Sequence, residues 1–447
     1  MKVLLTDGSG LTSRQIATIL SRKHHEVHVL CPPGLTLTKL THYVTKIHSV
    51  PPFGEDPYAW LNAALTVLRD EKLDVLLCTQ EQVAIISAQK SQIENLGVRI
   101  AVPSFESLEM VMDKIAAYGT LSVAGLPQPE RIVFSIPSDP AEFQLLPQDK
   151  LTFPAFLKTP IGTAGTGVRR IHSVEEVQAM LASPPFCTMI KERQLESSAA
   201  KFVLQQEIPG SLIMISGVFS HGTLLAWHAC VRVYEGMNGG ASKKVSPPLP
   251  IIGTHLTQLG KELNWHGALS LDAILEGDGN PFYIDINPRI VEPMNALLSG
   301  VDLVQALLNI SLHPAPFPPS ETPLLPKHGI EGVETHQALL AFLKASQRGR
   351  FWLCVEVFKV LMRFDMYAGS TEELTPVTWG DPFNVVVMVG LMVLLFVGGS
   401  WMGSKLAGGA VKGYALSEEG WRMILDRWEE GRGEIEKGEK AERSKGN

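Results

Sequence analysis

Acidic and amide side chains that could bind a metal ion are concentrated in one stretch, residues 267–289, which reads GALSLDAILEGDGNPFYIDINPR. Two runs of alternating apolar residues flank a GDGNP segment, whose residue types favour a tight reversal. The stretch therefore predicts a β-hairpin. A symmetric turn places Leu275 opposite Phe282, and the same register places Asp272 opposite Asp285.

The two faces of this hairpin differ in polarity, because successive side chains of a strand point to opposite sides. The predicted core face consists of Leu269, Leu271, Ala273, Leu275, Phe282, Ile284 and Ile286. The polar face consists of Ser270, Asp272, Asp285, Asn287 and Arg289. Opposed carboxylates repel each other, and Mg2+ would remove that repulsion, since it prefers hard oxygen ligands such as these, with phosphates and water completing the shell. A solvated hairpin face is the alternative.

A glycine-rich segment follows a predicted strand that ends in Lys158. Residues 159–168 read TPIGTAGTGV and contain Gly162, Gly165 and Gly167. The backbone N–H groups of such a loop can fold over a polyphosphate while the lysine adds positive charge. The loop lacks the GxxxxGK[ST] pattern of a P-loop, and an ordinary hairpin connection explains the glycines equally well.

The first hundred residues alternate between predicted strands and helices, which indicates a parallel sheet with helices on both faces. The strands are predicted at 2–5, 26–31, 74–78 and 98–102, and the helices at 13–21, at 58–69 and from residue 81. The DGSG segment after the first strand does not match GxGxxG, and no acidic residue ends the second strand. This segment predicts a structural turn rather than a dinucleotide site.

The next two hundred residues mix strands and helices. The predicted elements are strands at 155–158, 201–208, 213–219 and 224–234, and helices at 112–123, 255–263 and 301–312. The strand KFVLQQEI at 201–208 either presents backbone groups to a purine edge or is simply a core strand. The glycine-rich stretch 236–242, with Lys243 and Lys244 after it, predicts a mobile loop.

Taken in chain order, four of these features resemble the motifs of ATP-grasp enzymes. They are Lys114, the glycine loop after Lys158, Gln206-Glu207-Ile208-Pro209-Gly210, and FYIDINPR, spread over about residues 105–312. The region before them resembles the Rossmann-like domain that precedes the ATP-grasp module in carbamoyl-phosphate synthase and the carboxylate–amine ligases. The resemblance implies a Rossmann-like domain at 1–104 and a two-subdomain ATP-grasp module at 105–312.

The resemblance also implies roles for individual residues, with Mg-ATP bound between two α+β subdomains. The residues implied to contact ATP are Lys114, Lys158, Gly162, Gly165, Gly167, Gln206, Glu207 and Ile208, the last three on the adenine side. The residues implied to hold Mg2+ are Asp272, Asp285 and Asn287. Those implied to face the γ-phosphate or an acyl phosphate are Arg289 and Arg232.

The activity implied by the resemblance is ATP-dependent ligation of a small carboxylate to an amine through an acyl phosphate. Two departures from the family pattern weaken this expectation. Asp285 stands where such families usually have a glutamate, and Ser211-Leu212 stand where an acidic residue often binds the ribose. The alternative is therefore a degenerate module, tethered to a membrane, that binds ATP as a sensor without turnover. Substrate selectivity is expected in residues 234–242 and in the N-terminal region.

Composition fits a globular protein of several domains. The chain has 447 residues, of which 45% are hydrophobic and 19% charged, and its net charge of -7 gives no case for nucleic-acid binding. Its five cysteines form no CxxC pair, which argues against a disulfide framework or zinc site and fits a reducing compartment. The apolar run at the start is too short for a secretory signal. Nothing in the sequence indicates an oligomeric state.

The C-terminal third predicts a linker, helices and an apolar segment. Residues 313–380 contain a Pro-rich linker at 313–326 and helices at 335–345 and 350–364, while 405–447 predict a disordered tail or frayed helix. Residues 381–404 are long and apolar enough to cross a bilayer, although a buried helix or a hydrophobic hairpin is the alternative.

The charges around this apolar segment predict a membrane orientation that conflicts with an ATP site inside the cell. Glu372, Glu373 and Asp381 precede its uncharged part, 382–404, and Lys405, Lys412 and Arg422 follow it, so the positive-inside rule puts the C-terminus in the cytosol. A single span would then leave the ATP site outside the cell. We therefore expect a cytosolic catalytic region with a membrane-associated anchor.

Overall fold

The structure is a computed structural model of the chain. It describes residues 1–34, 36–136, 152–163, 165, 167–181, 183, 200–277, 279–315, 326–375 and 381–445. Most of the predicted Pro-rich linker, residues 316–325, lies outside the described residues. Asp278 in the predicted hairpin turn and Ala164 and Thr166 in the glycine-rich loop lie outside them as well.

The N-terminal region contains the predicted parallel sheet. Its strands are β1 (Lys2–Leu5), β2 (Glu26–Cys31), β3 (Lys46–Ser49), β4 (Val75–Leu77) and β5 (Arg99–Ile100), in the order β3-β2-β1-β4-β5. The helices that connect them are α1 (Leu11–Arg22), α2 (Pro57–Glu71), α3 (Val83–Ala88) and α4 (Lys90–Glu94). Strand β3 was not predicted, because it is an edge strand with mostly exposed side chains and lacks a buried apolar pattern.

A second, smaller sheet follows two short helices, α5 (Phe105–Met112) and α6 (Lys114–Val123). Its four strands are antiparallel: β6 (Arg131–Ile136), β7 (Ala155–Lys158), β8 (Val168–Ile171) and β9 (Ala200–Gln206), in the order β6-β9-β7-β8. Helix α7 (Val174–Leu181) lies beside it, and the two share a small apolar core around Phe134, Leu157 and Phe202. This sheet positions Lys158 and the glycine loop.

The largest sheet has eight strands and positions the acidic hairpin. They are β10 (Ser211–Ser220), β11 (Thr223–Glu235), β12 (Ala241–Val245), β13 (Gly267–Leu275), β14 (Pro281–Asn287), β15 (Lys327–His328), β16 (Glu334–His336) and β17 (Thr371–Glu372). The order is β14-β13-β10-β11-β12-β16-β17, with β15 beside β11. The helices α8 (Pro250–Glu262), α9 (Met294–Leu298) and α10 (Leu303–Leu312) come between these strands in the chain.

The hairpin β13–β14 has the predicted pairing at its polar end and a different one near its turn. Asp272 lies opposite Asp285 as predicted, but Leu275 pairs with Pro281 instead of Phe282. The turn is one residue shorter than a symmetric one, and an irregularity in β14 next to Asp285 compensates for the difference. As a result Pro281 and Tyr283 are buried, whereas Phe282 and Ile284 are only half-buried, and the predicted core face is wrong at these last two positions.

Two further predictions for this sheet are wrong. Lys243 and Lys244 are not in a mobile loop: they lie in β12, where Lys244 is fully buried and bonds the carboxylates of Glu292 and Glu373. Thr335 is in β16 rather than in a helix. In both cases a partner far along the chain determines the conformation, and local residue types do not reveal such a partner.

The C-terminal region consists of helices, the first of which packs against the largest sheet and the last against α2 and α3. They are α11 (Ala338–Arg348), α12 (Arg350–Leu361), α13 (Phe383–Tyr414) and α14 (Glu418–Lys445). The first half of α14 is not a loose tail, because Trp421 and Ile424 are buried in the main core and Trp421 contacts Phe105. Each such buried side chain contributes roughly 1.5–3 kcal/mol to stability.

Helix α13 is interrupted at Gly399, whose φ of 57° and ψ of -147° are not helical. Positive φ of this kind is accessible to glycine at no steric cost. The interruption divides α13 into two arms, and a Cβ built on Gly403 in the second arm would lie 3.6 Å from Leu395 in the first. Arg350 donates hydrogen bonds to the carbonyl oxygens of Phe396 (2.8 Å) and Val397 (3.3 Å) just before the break.

The start of α13 is fixed to the N-terminal region. Asp381, at the beginning of the apolar segment, is fully buried, lies 3.7 Å from Arg14 of α1 and bonds the hydroxyl of Thr41. Among the described helices, one is long and apolar enough to cross a membrane, at Phe383–Leu406. Only 17% of its most apolar 18-residue segment is buried in the protein.

The buried histidine His266 generates a pH-dependent stability. Neither of its ring nitrogens has a hydrogen-bond partner, and its ring stacks on His221. Burial lowers the pKa of His266 to about 4, and the neighbouring charges of His221 and Lys90 act in the same direction. The unfolded chain, with a pKa near 6.5, binds more protons between these values, so stability must fall as the pH is lowered through that window.

We predict that His266→Phe removes this dependence while keeping the stacked ring. Between pH 7 and pH 5 the variant should lose about 2 kcal/mol less unfolding free energy than the wild type, measured by urea denaturation. His172→Phe, at an exposed histidine, serves as the control and should titrate like the wild type. Equal pH dependence of the wild type and His266→Phe would contradict the prediction.

Candidate functional site

The polar face of the β13–β14 hairpin lies at one end of a cavity of about 590 Å³. Asp272, Asp285, Asn287 and Arg289 all line it, so the structure brings these four predicted residues together. Asp272 and Asp285 are direct cross-strand partners, and Asn287 lies opposite Ser270. The hairpin register therefore places three side-chain oxygen donors on one small surface.

The electrostatics of this surface fit a divalent cation. Burial raises the pKa of Asp272 to about 7, and the charge of Asp285 contributes to the rise, while Arg289 opposes it. Two facing, half-buried carboxylates are unfavourable unless a positive charge compensates them. The donors are carboxylate and amide oxygens, which is the set that Mg2+ prefers, so the residues present fit the metal that the sequence predicts.

Arg289 is held beside this carboxylate pair. The hydroxyl of Ser270 donates to the Arg289 carbonyl oxygen at 2.7 Å, and Ser270 in turn contacts the hydroxyl of Ser216 at 2.8 Å. The guanidinium lies 3.4 Å from Glu81 and 3.4 Å from the Asn287 amide oxygen. These contacts are longer than the 2.7–2.9 Å or so of a charge-assisted hydrogen bond, so the guanidinium keeps capacity to bind an anion.

Two lysines reach the hairpin from the smaller sheet and α6. The Lys158 ammonium donates to the carbonyl oxygen of Ile284 at 3.1 Å, next to the irregular step in β14. The Lys114 ammonium donates to the Gly162 carbonyl oxygen at 2.9 Å and lies 3.9 Å from Asp285. Both predicted phosphate contacts therefore converge on the same carboxylate pair.

The environment of Lys158 lowers its affinity for a proton. Burial lowers the pKa of Lys158 to about 8, and the nearby charge of Lys114 acts in the same direction, although Asp285 opposes it. An ammonium that is buried with few anionic partners gains by binding a phosphate. This arrangement is consistent with an anion-binding role for the pair of lysines.

The described part of the glycine loop closes back on the strand that carries Lys158. The Thr159 N–H donates to the Gly167 carbonyl oxygen at 3.0 Å, and the φ of Gly167 is 75°. A Cβ at Gly167 would also overlap the Thr159 hydroxyl, so this position requires glycine on two grounds. Gly165 lines the cavity, which places the loop over the acidic hairpin.

The predicted adenine-side residues lie where the chain passes from the smaller sheet to the largest one. The Gln206 N–H donates to the Glu130 carbonyl oxygen at 2.8 Å, and the Glu207 N–H donates to that of Pro154 at 3.1 Å. The Glu207 carboxylate pairs with Arg170 at 2.7 Å. Gln206, Glu207 and Ile208 are absent from the described lining of the cavity, so they flank the site without facing the carboxylates.

Arg232 lies on the same sheet but outside the cavity lining. Its guanidinium donates to the carbonyl oxygen of Gly239 at 2.5 Å and lies 3.9 Å from Glu235. Gly239 itself lines the cavity. Arg232 thus supports the wall of the site, and the structure does not bring it next to Arg289 and the aspartates.

The remainder of the cavity wall comes from three regions of the chain. The N-terminal region contributes Ser9, Gly10, Leu11, Thr12, Thr36, Leu37, Leu40 and Gln80. The segment expected to govern selectivity contributes Met237, Gly239, Gly240 and Ala241. The C-terminal helices α11 and α13 contribute Leu339, Leu340, Leu343, Phe383, Val386, Val387, Gly390, Leu391, Leu394, Leu406, Val411 and Tyr414. The apolar segment is therefore part of the site.

Glu292 lines the cavity and was missed from sequence. Its φ of 42° is unusual for a residue other than glycine, and such strain often marks functional positions. Its carboxylate is held by Lys244 and by the amide of Gln337 at 2.6 Å. Burial alone lowers the pKa of Lys244, but Glu292 and Glu373 outweigh that effect and raise it. The position of Glu292 after INPRIV was the only local signal available.

Comparison with protein-family models finds no match for this chain. Among curated proteins, acetyl-CoA carboxylase 1 of Arabidopsis thaliana is 22% identical over 182 residues, which are 36% of this chain and 7% of that protein. The chain therefore matches only a small fraction of the length of that relative.

Solved structures match over most of the chain. The biotin carboxylase domain of Hydrogenobacter thermophilus 2-oxoglutarate carboxylase, solved with MgADP, ADP and bicarbonate, has a TM-score of 0.56 and 16% identity, over 75% of this chain and 74% of that one. N5-carboxyaminoimidazole ribonucleotide synthetase, solved with ADP, has a TM-score of 0.53 and 14% identity, over 81% of this chain and 84% of that one. The L-amino acid ligase of Bacillus licheniformis has a TM-score of 0.51 and 18% identity, over 72% of this chain and 76% of that one.

These similar structures establish the fold of the chain. The chain shares its fold with this biotin carboxylase domain, this ribonucleotide synthetase and this L-amino acid ligase, and the predicted resemblance holds at the level of the fold. The mixed α/β class with a parallel sheet is confirmed with it. At sequence identities of 14–18%, the roles of individual residues in this chain stay predictions.

We predict opposite effects of Asp285→Asn on metal binding and on stability. The variant should bind Mn2+, as a substitute for Mg2+, about tenfold more weakly or worse, because removing a direct ligand costs at least as much as disturbing a residue behind it. Without metal it should unfold at a higher urea concentration than the wild type, because the facing charges are gone.

Titration calorimetry and urea denaturation measure the two effects. Glu276→Gln is the matched control, since Glu276 lies at the turn end of the same hairpin, away from the polar cluster. A solvated hairpin face would instead give equal Mn2+ binding by Asp285→Asn and Glu276→Gln.

Proposed function

We propose that this chain is an ATP-dependent ligase that activates a carboxylate as an acyl phosphate for attack by an amine or a similar nucleophile. The observation that carries the proposal is the convergence of Lys114 and Lys158 on the facing pair Asp272 and Asp285, with Arg289 beside them. A triphosphate needs this combination of two cations, oxygen donors for a metal and an arginine. The ATP-grasp fold supplies the independent support.

The ligands bound in the similar solved structures agree with this assignment. The 2-oxoglutarate carboxylase domain was solved with MgADP and bicarbonate, and the ribonucleotide synthetase with ADP. A related synthase from Aspergillus clavatus was solved with ATP, at a TM-score of 0.53 and 16% identity, over 75% of this chain and 81% of that one. We extend to this chain the nucleotide and the divalent metal, and leave the acid and the amine to be identified.

The proposed reaction has two steps. A carboxylate oxygen attacks the γ-phosphorus of ATP, the bond from that phosphorus to the β,γ-bridging oxygen breaks, and ADP leaves with the electron pair. The nucleophile then attacks the acyl carbon, the bond from that carbon to the phosphate oxygen breaks, and inorganic phosphate and a proton are released. Little covalent chemistry is required of the protein, which binds and orients the reactants.

The residues of this chain stabilise the charge that moves during the first step. Lys158 and Lys114 bind phosphate oxygens, and Arg289 binds the incoming carboxylate or the phosphoryl group being transferred. Mg2+ bound by Asp272, Asp285 and Asn287 would neutralise charge on the phosphate oxygens. The loop around Gly165 excludes water, which protects the acyl phosphate from hydrolysis.

The two departures from the family pattern have different consequences in this site. The shorter Asp285 still reaches the cluster, as its distance of 3.9 Å from Lys114 shows. Leu212 lines the cavity and lies in β10, where it pairs with Ile274 of β13, so it adds apolar surface where an acidic residue would bind ribose hydroxyls. The reach of Asp285 favours a working site over the degenerate nucleotide-binding alternative, and a measured turnover would exclude that alternative directly.

We also propose that the catalytic region lies on the cytosolic face of a membrane and is attached through α12 and α13. Helix α12 exposes four large apolar side chains to solvent, namely Phe351, Trp352, Phe358 and Leu361. Cationic side chains accompany the aromatic ones, with Arg348 3.6 Å from the Trp352 ring and Lys405 5.0 Å from the Trp401 ring. This combination is typical of helices that lie in a membrane interface.

We predict that the full chain releases ADP in the presence of Mg-ATP and a suitable acid, with hydroxylamine as a general nucleophile. Each productive acid should give equal amounts of ADP and acyl hydroxamate. Lys158→Met and Asp285→Ala should lower the rate by about two orders of magnitude or more, because each removes charge stabilisation from the transferred phosphoryl group. Liquid chromatography with mass detection measures both products.

The control for Lys158→Met is Lys201→Met, at an exposed lysine of the same sheet, and it should keep wild-type activity. Full activity of both Lys158→Met and Asp285→Ala would contradict the assigned site. Tight ATP binding without ADP formation for every acid would select the nucleotide-sensing alternative. The assay needs the full chain, because truncation before α13 removes a wall of the cavity.

We predict that the protein floats with anionic lipid vesicles and that the apolar side chains of α12 cause this. The double substitution Phe358→Ser/Leu361→Ser should lower the bound fraction relative to free protein by about tenfold or more, since two large apolar side chains lose their burial in lipid. Val123→Ser/Ile330→Ser removes two equally exposed apolar residues elsewhere and should have no effect. Absence of the wild type from the vesicle fraction would contradict the membrane proposal.

A further inference from the structure

One part of the cavity wall consists of aliphatic side chains of two C-terminal helices. We call this region the apolar lobe and define it by Leu339, Leu340 and Leu343 of α11 and Val387, Leu391 and Leu394 of α13. The cavity volume of about 590 Å³ lies within the roughly 300–1,000 Å³ typical of small-molecule sites. A void of this size and composition leaves its lining atoms without packing partners, which indicates that it holds a ligand.

We infer that the carboxylate substrate carries a long apolar chain and that the apolar lobe receives this chain. The inference rests on the proposed function for the fate of the acid, but not for its binding. A carboxyl group near Arg289 and the Asp272–Asp285 pair can extend along the cavity toward α11 and α13, which contribute most of the apolar residues in its described lining. The substrate class is therefore an amphiphilic carboxylic acid.

The floor and the rim of the apolar lobe differ in exposure. The floor residues Leu339, Leu340, Val387 and Leu391 are each buried. At the rim, Leu394 is 42% exposed, and the neighbouring lining residues Val386 and Phe383 are 66% and 53% exposed. The lobe is thus closed inside the protein and open on the apolar side of α13, which suits a ligand that arrives with its chain already in an apolar phase.

The acid, rather than the amine, is assigned to the lobe for a chemical reason. The acyl phosphate must stay bound until the nucleophile arrives, because it hydrolyses once water reaches it. Burial of the acyl chain anchors this intermediate through apolar contacts that do not change between the acid and its acyl phosphate. A polar or charged chain would find few hydrogen-bond partners among leucine and valine side chains.

Two glycines of α13 allow a matched test. Gly390 lines the cavity, and a Cβ built there meets no atom within 4 Å, so Gly390→Leu adds a side chain at the wall of the lobe without a clash at its Cβ. Gly408 also has open space around it but does not line the cavity, so Gly408→Leu makes the same change outside. Leucine favours a helix more than glycine does. A second blocking variant, Leu394→Trp, narrows the lobe from its exposed rim.

The experiment compares butanoic, octanoic and dodecanoic acids on the full chain. Binding is measured without nucleotide, by displacement of a fluorescent polyunsaturated fatty acid, and hydroxamate formation is measured with Mg-ATP and hydroxylamine. The wild-type Kd should fall about threefold to fourfold for each added methylene until the lobe is filled. Gly390→Leu and Leu394→Trp should weaken binding of dodecanoic acid by about tenfold or more, and Gly408→Leu should not change it.

The outcomes separate the two proposals. Hydroxamate formation that does not depend on chain length would overturn the apolar-lobe assignment and leave the ligase proposal intact. Binding of dodecanoic acid that Gly390→Leu weakens, without hydroxamate from any acid, would support the lobe and overturn the ligase. Binding that grows with chain length but is equal in the wild type, Gly390→Leu and Leu394→Trp would place the chain on the outer apolar surface and overturn the inference.

Discussion

The repulsion between Asp272 and Asp285 is the constraint on which the rest of the site depends. Adjacent antiparallel strands force these carboxylates to face each other, and burial makes the charged pair unfavourable, as the raised pKa of Asp272 records. The protein surrounds the pair with positive charge from Lys114, Lys158 and Arg289. Nothing in the described core requires acidic residues at these two positions. The carboxylate pair is stable only when positive charge compensates it. This requirement gives such a site its affinity for a metal–nucleotide complex.

Much of this site was predictable because its signals are local. Alternation along β13 and β14 separates core from polar residues, and the charge types on the polar face indicate a metal. The helix at Lys114 and the glycine loop after Lys158 also follow from short-range residue types. The irregular step in β14 was not predictable, since the sequence permits two turn lengths that keep Asp272 opposite Asp285.

What the sequence could not predict depends on partners far apart in the chain. Lys244 looks like part of a solvated loop until Glu292 and Glu373, 48 and 129 residues away, are seen to bury it. Trp421 looks like part of a charged tail until its contact with Phe105 is known. The apolar segment was considered as a membrane anchor or a buried helix, and its participation in the cavity wall required its position relative to α1 and α11. Pairing across such distances is set by tertiary packing, which local propensities do not encode.

The interruption of α13 at Gly399 limits how deeply the chain can enter a lipid bilayer. A straight helix satisfies its own backbone and can pass through hydrocarbon, whereas a broken one exposes carbonyl groups that need a donor there. Here the guanidinium of Arg350 supplies the donor to Phe396 and Val397, and a guanidinium is costly to place at the centre of the acyl chains. In the membrane attachment that we propose, this one side chain would therefore set the immersion depth, with the break and its arginine at headgroup level and the protein in a single leaflet.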